Sequence, residues 1–383
     1  MSPGAALLAD VCDISMGQAP SGDTYNTEGK GLPLIAGAGD FGDLTPKPTK
    51  FTTSPTKISR SGDLILCIRA TIGDRNWSDG EYCLGRGVAG LSARPHKLDQ
   101  KYLWHWLGYA TPKLKAKGRG ATFLQVNKAD IGSMEVPLPP LDEQRRIAAI
   151  LDKADALRAK RRETIAKLDQ LMQSVFLDMF GDPLNNPKQL PIRPLGTICR
   201  EVYRYPTYYG IEYESQGVAE VRGEMITADG VIDSSKARYI SSATSRRFPR
   251  TQLCAGDLVM SVRGTVGKVG FVSDDLAGAN MTANLMRISP DPAKVDPIYL
   301  WRFAMTDYFA RYLERVSSST TIKTIKAPDL KALPVILPAV IDQKKFQEVH
   351  YRLITLSEKA AQSSSAVESL FASLQHRAFS GTL

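Results

Sequence analysis

The chain has 383 residues, enough for two or three domains with cores of their own, and its 49 basic against 40 acidic side chains leave a net +9 that favours a polyanionic partner without proving one. Its five cysteines (Cys12, Cys67, Cys83, Cys199, Cys254) form no Cys-x-x-Cys pair, which argues against a disulfide framework or a thiolate zinc site and fits a reducing cytoplasm. Nowhere do eighteen apolar residues run together, so neither a membrane-spanning nor a secreted protein is expected.

In chain order, the strand-like Leu32 to Ala36 leads into Gly37-Ala38-Gly39-Asp40-Phe41-Gly42, which fits Gly-x-Gly-x-x-Gly. A nucleotide site needs a helix next, whose N-terminus takes the phosphate, but Pro46 and Pro48 follow, so a turn is the better reading. Asp63 to Arg69 reads as a strand, with Arg69 and Thr71 just beyond it and before Gly73. There a guanidinium can reach a phosphate or a guanine edge. Asp99 caps a helix over Lys101 to Tyr109, and Lys115, Lys117, Arg119, Thr122 and Gln125 make a glycine-broken basic loop. The bland alternative for that loop is a merely solvated surface.

Residues 142 to 180 predict one long helix. Ile147, Ile150, Leu151, Ala154, Leu157, Ile165, Leu168, Leu171, Met172, Val175, Met179 and Phe180 follow three-four spacing, broken only by Arg161. Pro139 and Pro140 forbid an earlier start, Asp142 is the expected N-cap, and Gly181-Asp182-Pro183 stops it. At 1.5 Å per residue such a helix is about 58 Å long, more than one globular core needs, and it calls for a partner helix.

The partner lies in the second half, because the chain is written twice. Ser61-Gly62-Asp63-Leu64 through Arg69-Ala70-Thr71-Ile72-Gly73 returns as Ala255-Gly256-Asp257-Leu258 through Arg263-Gly264-Thr265-Val266-Gly267, an offset of 194. Asp99 to Trp104 returns as Asp296 to Trp301 at an offset of 197, and Gln144 returns as Gln343 at 199. Strands are expected over Asp257 to Arg263 and Lys268 to Val272, a helix over Ile298 to Leu313, and a second long helix over 342 to 379 carrying Phe346, Val349, Leu353, Leu356, Ala360, Val367, Leu370, Phe371, Leu374 and Phe379. Arg263, Thr265 and Lys268 then match the first-half strand end, while Arg315, Ser317 to Thr321 and Lys323 match the basic loop. Between Asp23 and Thr56 on one side and Glu201 and Arg250 on the other no alignment is legible, which suggests equal scaffolds with different recognition loops.

The expected architecture is therefore α+β. Two homologous globular segments, 1–141 and 182–341, are joined by two long helices, 142–181 and 342–383, packed antiparallel as a coiled coil under a pseudo-two-fold. The two helices carry only +2 of the net charge, so the globular segments are the better candidates for touching phosphate.

Catalytic signals mostly fail. Asp296-Pro297-Ile298-Tyr299 is near the Asp-Pro-Pro-Tyr of amino-group methyltransferases, but its repeat mate Asp99-Gln100-Lys101-Tyr102 has no proline, so both read as helix caps. Gly264-Thr265-Val266-Gly267-Lys268 lacks the first glycine and final Ser or Thr of a phosphate loop, and His96, His105, His350 and His376 show no metal-ligand spacing. The residues that survive are binding candidates: Arg69, Thr71, Lys117, Arg119, Gln125, Arg263, Thr265, Lys268, Arg315 and Lys323.

The two Gly-Asp-Leu blocks, each with Arg-x-Thr-x-Gly, and the string Val136-Pro137-Leu138-Pro139-Pro140-Leu141-Asp142-Glu143-Gln144-Arg145-Arg146-Ile147 opening the long helix resemble the specificity subunits of type I restriction-modification systems over essentially the whole chain. The second copy, Ala339-Val340-Ile341-Asp342-Gln343, lacks the glutamate and the second proline. The resemblance implies two target-recognition domains, each reading one half of a split asymmetric sequence in double-stranded DNA, with the helices setting their separation. It also implies two methyltransferase subunits that bring S-adenosylmethionine, and two restriction subunits that use ATP, with no catalytic, cofactor or metal site in this chain. Two alternatives are a stand-alone DNA-binding regulator and a self-contained adenine methyltransferase, and the latter needs a cofactor motif that the sequence does not offer.

Overall fold

The computed structural model describes residues 4–120, 123–204, 211–263, 265–317 and 324–383. The chain divides into two compact units, the first made of residues 1–163 and 361–383 and the second of residues 164–360. Each unit thus contains a globular part and a stretch of both long helices.

In the first unit the labelled strands are β1 (Cys12–Met16), β2 (Leu32–Ile35), β3 (Leu64–Cys67), β4 (Arg75–Trp77), β5 (Tyr82–Leu84) and β6 (Val88–Ala93). The helix α1 (Gln100–Ala116) follows, and α2 (Leu141–Phe180) is the first long helix. An antiparallel sheet runs in the order β1-β6-β3-β4. β3 is buried along its whole length and alternates. Leu64 and Leu66 join the cluster that holds Tyr102, Leu103 and Trp106 of α1, and Ile65 joins Ile35, Leu84 and Val88 on the other face. Period-two alternation lets one short strand close two apolar layers, and each such side chain contributes about 1.5–3 kcal/mol by leaving water.

The second unit repeats this plan with β7 (Cys199–Arg204), β8 (Val218–Val221), β9 (Leu258–Ser261), β10 (Val269–Phe271), β11 (Asn280–Met281) and β12 (Leu285–Pro290). Its sheet order is β7-β12-β9-β10. Leu258 and Met260 face the cluster of Tyr299 and Phe303, while Val259 packs with Val221, Met281 and Leu285. The segments that would not align in sequence share a pairing. β2 runs parallel to β5, and β8 runs parallel to β11. The expected helix over Ile298 to Leu313 is two helices, α3 (Pro297–Phe303) and α4 (Asp307–Val316), because the chain turns at Ala304 to Thr306 before Asp307 opens the next helix. The second long helix is α5 (Val340–Ser380).

The repeated motifs are the joints of each unit. Asp99 accepts from the backbone N–H groups of Lys101 and Tyr102 at 3.0 Å each, and Asp296 does the same for Ile298 and Tyr299 at 2.9 and 3.1 Å. The hydroxyl of Tyr102 donates to the Pro137 carbonyl at 3.0 Å, and that of Tyr299 to the Ile336 carbonyl at 2.5 Å. Gln144 accepts from the Asp99 N–H at 2.8 Å and donates to the carbonyls of Lys97 and Pro139. Gln343 accepts from the Asp296 N–H at 2.7 Å and donates to the Pro338 carbonyl. One glutamine in the first turn of each long helix therefore fastens the helix to the cap of α1 or α3. Asp142 is not the N-cap of α2: the helix opens at Leu141, the Gln144 N–H bonds to the Pro140 carbonyl, and Asp142 pairs with Arg145 at 3.2 Å instead.

Within each unit the two long helices run oppositely. In the first, Arg146 donates to the Leu383 carbonyl, and Arg158 pairs with Glu368 at 2.8 Å while stacking over Phe371 at 4.1 Å. In the second, Phe176 and Phe180 meet Phe346, and Met172 meets His350. Leu157, Leu171, Leu356 and Leu370, expected on the seams, are exposed. Arg158 occupies the seam position next to Leu157, its guanidinium lying over the Phe371 ring while its charge is neutralised by Asp155 and Glu368.

Candidate nucleic-acid interface

The first cluster is built where β3 ends. Cys67 N–H bonds to the Asp74 carbonyl and Gly73 N–H to the Cys67 carbonyl, closing a tight loop in which Ala70 (φ +62°) and Gly73 (φ +98°) are left-handed. This loop leaves Arg69 and Thr71 exposed. The outer edge of the same segment pairs with the return limb of the basic loop, Ala70 N–H to the Leu124 carbonyl and Val126 N–H to the Ile68 carbonyl, both at 3.0 Å. Gln125 and Arg119 then exchange both backbone hydrogen bonds, at 2.9 and 3.0 Å. Arg69, Gln125 and Arg119 therefore stand side by side, each directly opposite the next, an arrangement that directs the side chains of opposed residues to one face.

Their environments differ. Arg119 is oriented by the buried Asp130 at 3.1 Å, and Asp130 also accepts from the Asn127 N–H in the cap of the helix Lys128–Gly132, so the carboxylate fixes the guanidinium while its other donors face water. The Arg69 guanidinium has no hydrogen bond or ion pair among the described residues. The Thr71 hydroxyl is spent on Cys67 Sγ at 3.3 Å, and Lys117 is half-buried with its ammonium on Ser133 at 3.0 Å, outside the row. The row is thus one fixed cation, one free cation and an exposed amide.

In the second unit Ser261 stands where the first has Cys67, with the same frame: Ser261 N–H to the Lys268 carbonyl and Gly267 N–H to the Ser261 carbonyl, both at 2.9 Å. Arg263, Thr265 and Lys268 come together around a cavity of about 350 Å³ that Ser261, Gly223, Glu224 and Asn284 complete. The Arg263 backbone pairs with Thr324, as Arg69 pairs with Gln125. Arg315 is not part of this cavity; it lies at the end of α4 over the Tyr312 ring at 5.3 Å, and Lys323 lies outside the described residues. Cation, carboxylate, amide and hydroxyl around one opening can match the mixed donors and acceptors of a base edge.

Sequence reasoning missed Glu224 and Asn284, and it missed Phe123 and Leu124 beside the first row. Asn284 holds its place through Val262 N–H on its carbonyl, where the first unit uses Gly87 under Ile68, so the duplication carried no signal for it. Phe123 and Leu124 had one available signal, two large apolar residues in an otherwise polar, basic loop. Among the described residues no group of three His, Cys, Asp or Glu side chains is placed to hold a metal ion, and no helix is long and apolar enough to cross a membrane.

A family model described as the type I restriction modification DNA specificity domain matches residues 7–169. A Methanocaldococcus jannaschii chain named for the specificity subunit of the type I restriction enzyme MjaX is 36% identical over 167 residues, covering 43% of this chain and 39% of that relative, less than half its length. The Escherichia coli type I restriction enzyme EcoBI specificity subunit is 22% identical across 98% of this chain and 85% of its own. A chain solved in a study of complex assembly and conformational transition of the type I R-M system has the same fold over 99% of this chain and 98% of its own, with a TM-score of 0.62 at 18% identity. The duplicated scaffold and these likenesses agree: residues 7–169 match the type I restriction modification DNA specificity domain, and the chain as a whole is similar to specificity subunits of type I restriction enzymes.

Proposed function

We propose that this protein is the non-catalytic, DNA-reading subunit of a cytoplasmic type I restriction-modification enzyme, in which each unit reads one half of a bipartite, asymmetric target. The observation that carries this reading is the Arg69–Gln125–Arg119 row and its counterpart around Arg263: the same strand end, on the same scaffold, surrounded by different side chains. Equal scaffolds give equal docking, and unequal side chains give unequal bases read. Arg69, Arg119 and Gln125 would contact one half-site, with Thr71 holding the strand-end loop beside them, and Arg263, Thr265 and Lys268 the other. Lys117, Arg315 and Lys323 would serve phosphate rather than base contacts.

In this reading the long helices dock two methyltransferase subunits, which supply S-adenosylmethionine, and two restriction subunits supply the ATP-dependent cleavage. The test is reconstitution. The chain alone should bind no S-adenosylmethionine and transfer no methyl group, whereas the chain with its methyltransferase subunits should methylate adenine at one split sequence. Methyl transfer by the chain alone would replace this reading with a self-contained methyltransferase, and sequence-specific binding without any methyltransferase partner would replace it with a regulator.

A further inference from the structure

Phe123 and Leu124 are large apolar side chains left 58% and 46% exposed beside the Arg69–Gln125–Arg119 row. Their exposure is built into the loop. The Arg119–Gln125 backbone pair closes its base, the Leu124 carbonyl is pinned by the Ala70 N–H, and Gly120, at φ +137°, lies so close to the Phe123 carbonyl that a Cβ there would come within 2.2 Å of the oxygen. These backbone bonds hold Phe123 and Leu124 at the surface beside the row.

What surrounds the tip selects its partner. Residues 112 to 128 hold five basic side chains, Lys113, Lys115, Lys117, Arg119 and Lys128, and no carboxylate. Arg69, unpaired among the described residues, adds a cation from the neighbouring segment. A polyanion with an apolar interior meets both demands, and the stacked bases of duplex DNA are such an interior. We propose that Phe123, supported by Leu124, is an apolar wedge that enters or caps the base stack within or beside the half-site read by the first unit. Proteins that open a base step use this combination of an inserted Phe or Leu and flanking Arg or Lys contacts to phosphate. The proposal rests on the DNA-reading function above and adds a residue that distorts rather than reads.

The test uses the chain assembled with its methyltransferase subunits. Phe123→Ala should weaken target binding about 5- to 150-fold, the range set by loss of one base–aromatic stack, and Phe123→Trp should restore it. The slope of log affinity against log salt should stay at the wild-type value in Phe123→Ala, because no phosphate contact is lost. With 2-aminopurine placed singly along the half-site, away from the methylated adenine, one position should brighten on binding wild type and stay dark with Phe123→Ala. Unchanged affinity and fluorescence in Phe123→Ala, with wild type still discriminating its target, would overturn the wedge alone. A reduced salt slope would overturn it in favour of a collapsed basic loop, and loss of the methyltransferase subunits on gel filtration would overturn it in favour of a protein-docking tip. A wild-type complex with no sequence preference would overturn the DNA reading itself, and the wedge with it.

Discussion

Removing either joint glutamine tests the structural argument most severely, because each is a single side chain with little else to do. Gln144 is 1% exposed and fastens three backbone groups: the Asp99 N–H at 2.8 Å, the Pro139 carbonyl at 2.9 Å and the Lys97 carbonyl at 3.1 Å. Gln144→Ala leaves all three unpaired beside the cap of α1. At about 1–3 kcal/mol for each buried group left unsatisfied, with water reaching some of them through the space vacated, the expected loss is about 2–4 kcal/mol. Gln343 is fully buried and holds two groups, so Gln343→Ala should cost about 2–3 kcal/mol. For units of this size that corresponds to about 4–16 °C in Tm. Urea unfolding of each single variant and of the double variant measures it, and the two losses should add because the glutamines sit in different units. A Gln144→Ala protein within about 0.5 kcal/mol of wild type would refute the claim that these residues join helix to domain.

The buried His350 should make the second unit sensitive to acid. Burial, reinforced by the Arg302 guanidinium, pushes its pKa down to about 3, and its Nδ1 accepts from Arg302 Nε at 3.4 Å and faces Met172 Sδ at 3.3 Å, so the folded ring is neutral. Above about pH 6.5 the ring is neutral folded or unfolded and adds no pH dependence; below it the unfolded chain takes up a proton that the fold excludes. Stability therefore falls by up to about 1.4 kcal/mol per pH unit toward pH 3, or about 2 kcal/mol at pH 5, and His350→Phe should flatten that slope in paired unfolding measurements; equal slopes would refute it. Arg69→Ala and Arg263→Ala should each relax specificity on one half-site only, by about 1–3 kcal/mol if the contact is to a base, read by methylation of targets altered in one half at a time. Uniform weakening on all sequences, with a shallower salt slope, would assign the residue to phosphate instead.

Most of the frame was legible because it is repeated. Gly62 and Gly256 adopt φ values of +91° and +83°, and Gly73 and Gly267 +98° and +93°, backbone conformations that side chains resist, so these glycines mark the same turns in both halves. Asp99, Tyr102 and Gln144 recur for an equally local reason: each satisfies named backbone groups of one joint. What was not legible lies where tertiary context chooses. The parallel pairings of β2 with β5 and β8 with β11 each take one strand from a segment with no alignable sequence, because two-residue ladders need only burial and spacing. The seam was misread at Leu157 because apolar periodicity cannot see that the neighbouring Arg158, neutralised by Asp155 and Glu368, lies over Phe371 instead. Of the site, the strand-end arginines were readable from the duplication, while Asn284 and Glu224, which have no repeat signal, were not.

The central claim is that each unit reads its own half of the target. The direct measurement exchanges residues 1–138 for the equivalent segment of a related specificity subunit, assembles the chimera with the methyltransferase subunits, and maps methylated adenines across a genome. The account predicts a recognised sequence in which one half is new and the other is that of the parent. Alteration of both halves, or of neither, would contradict it.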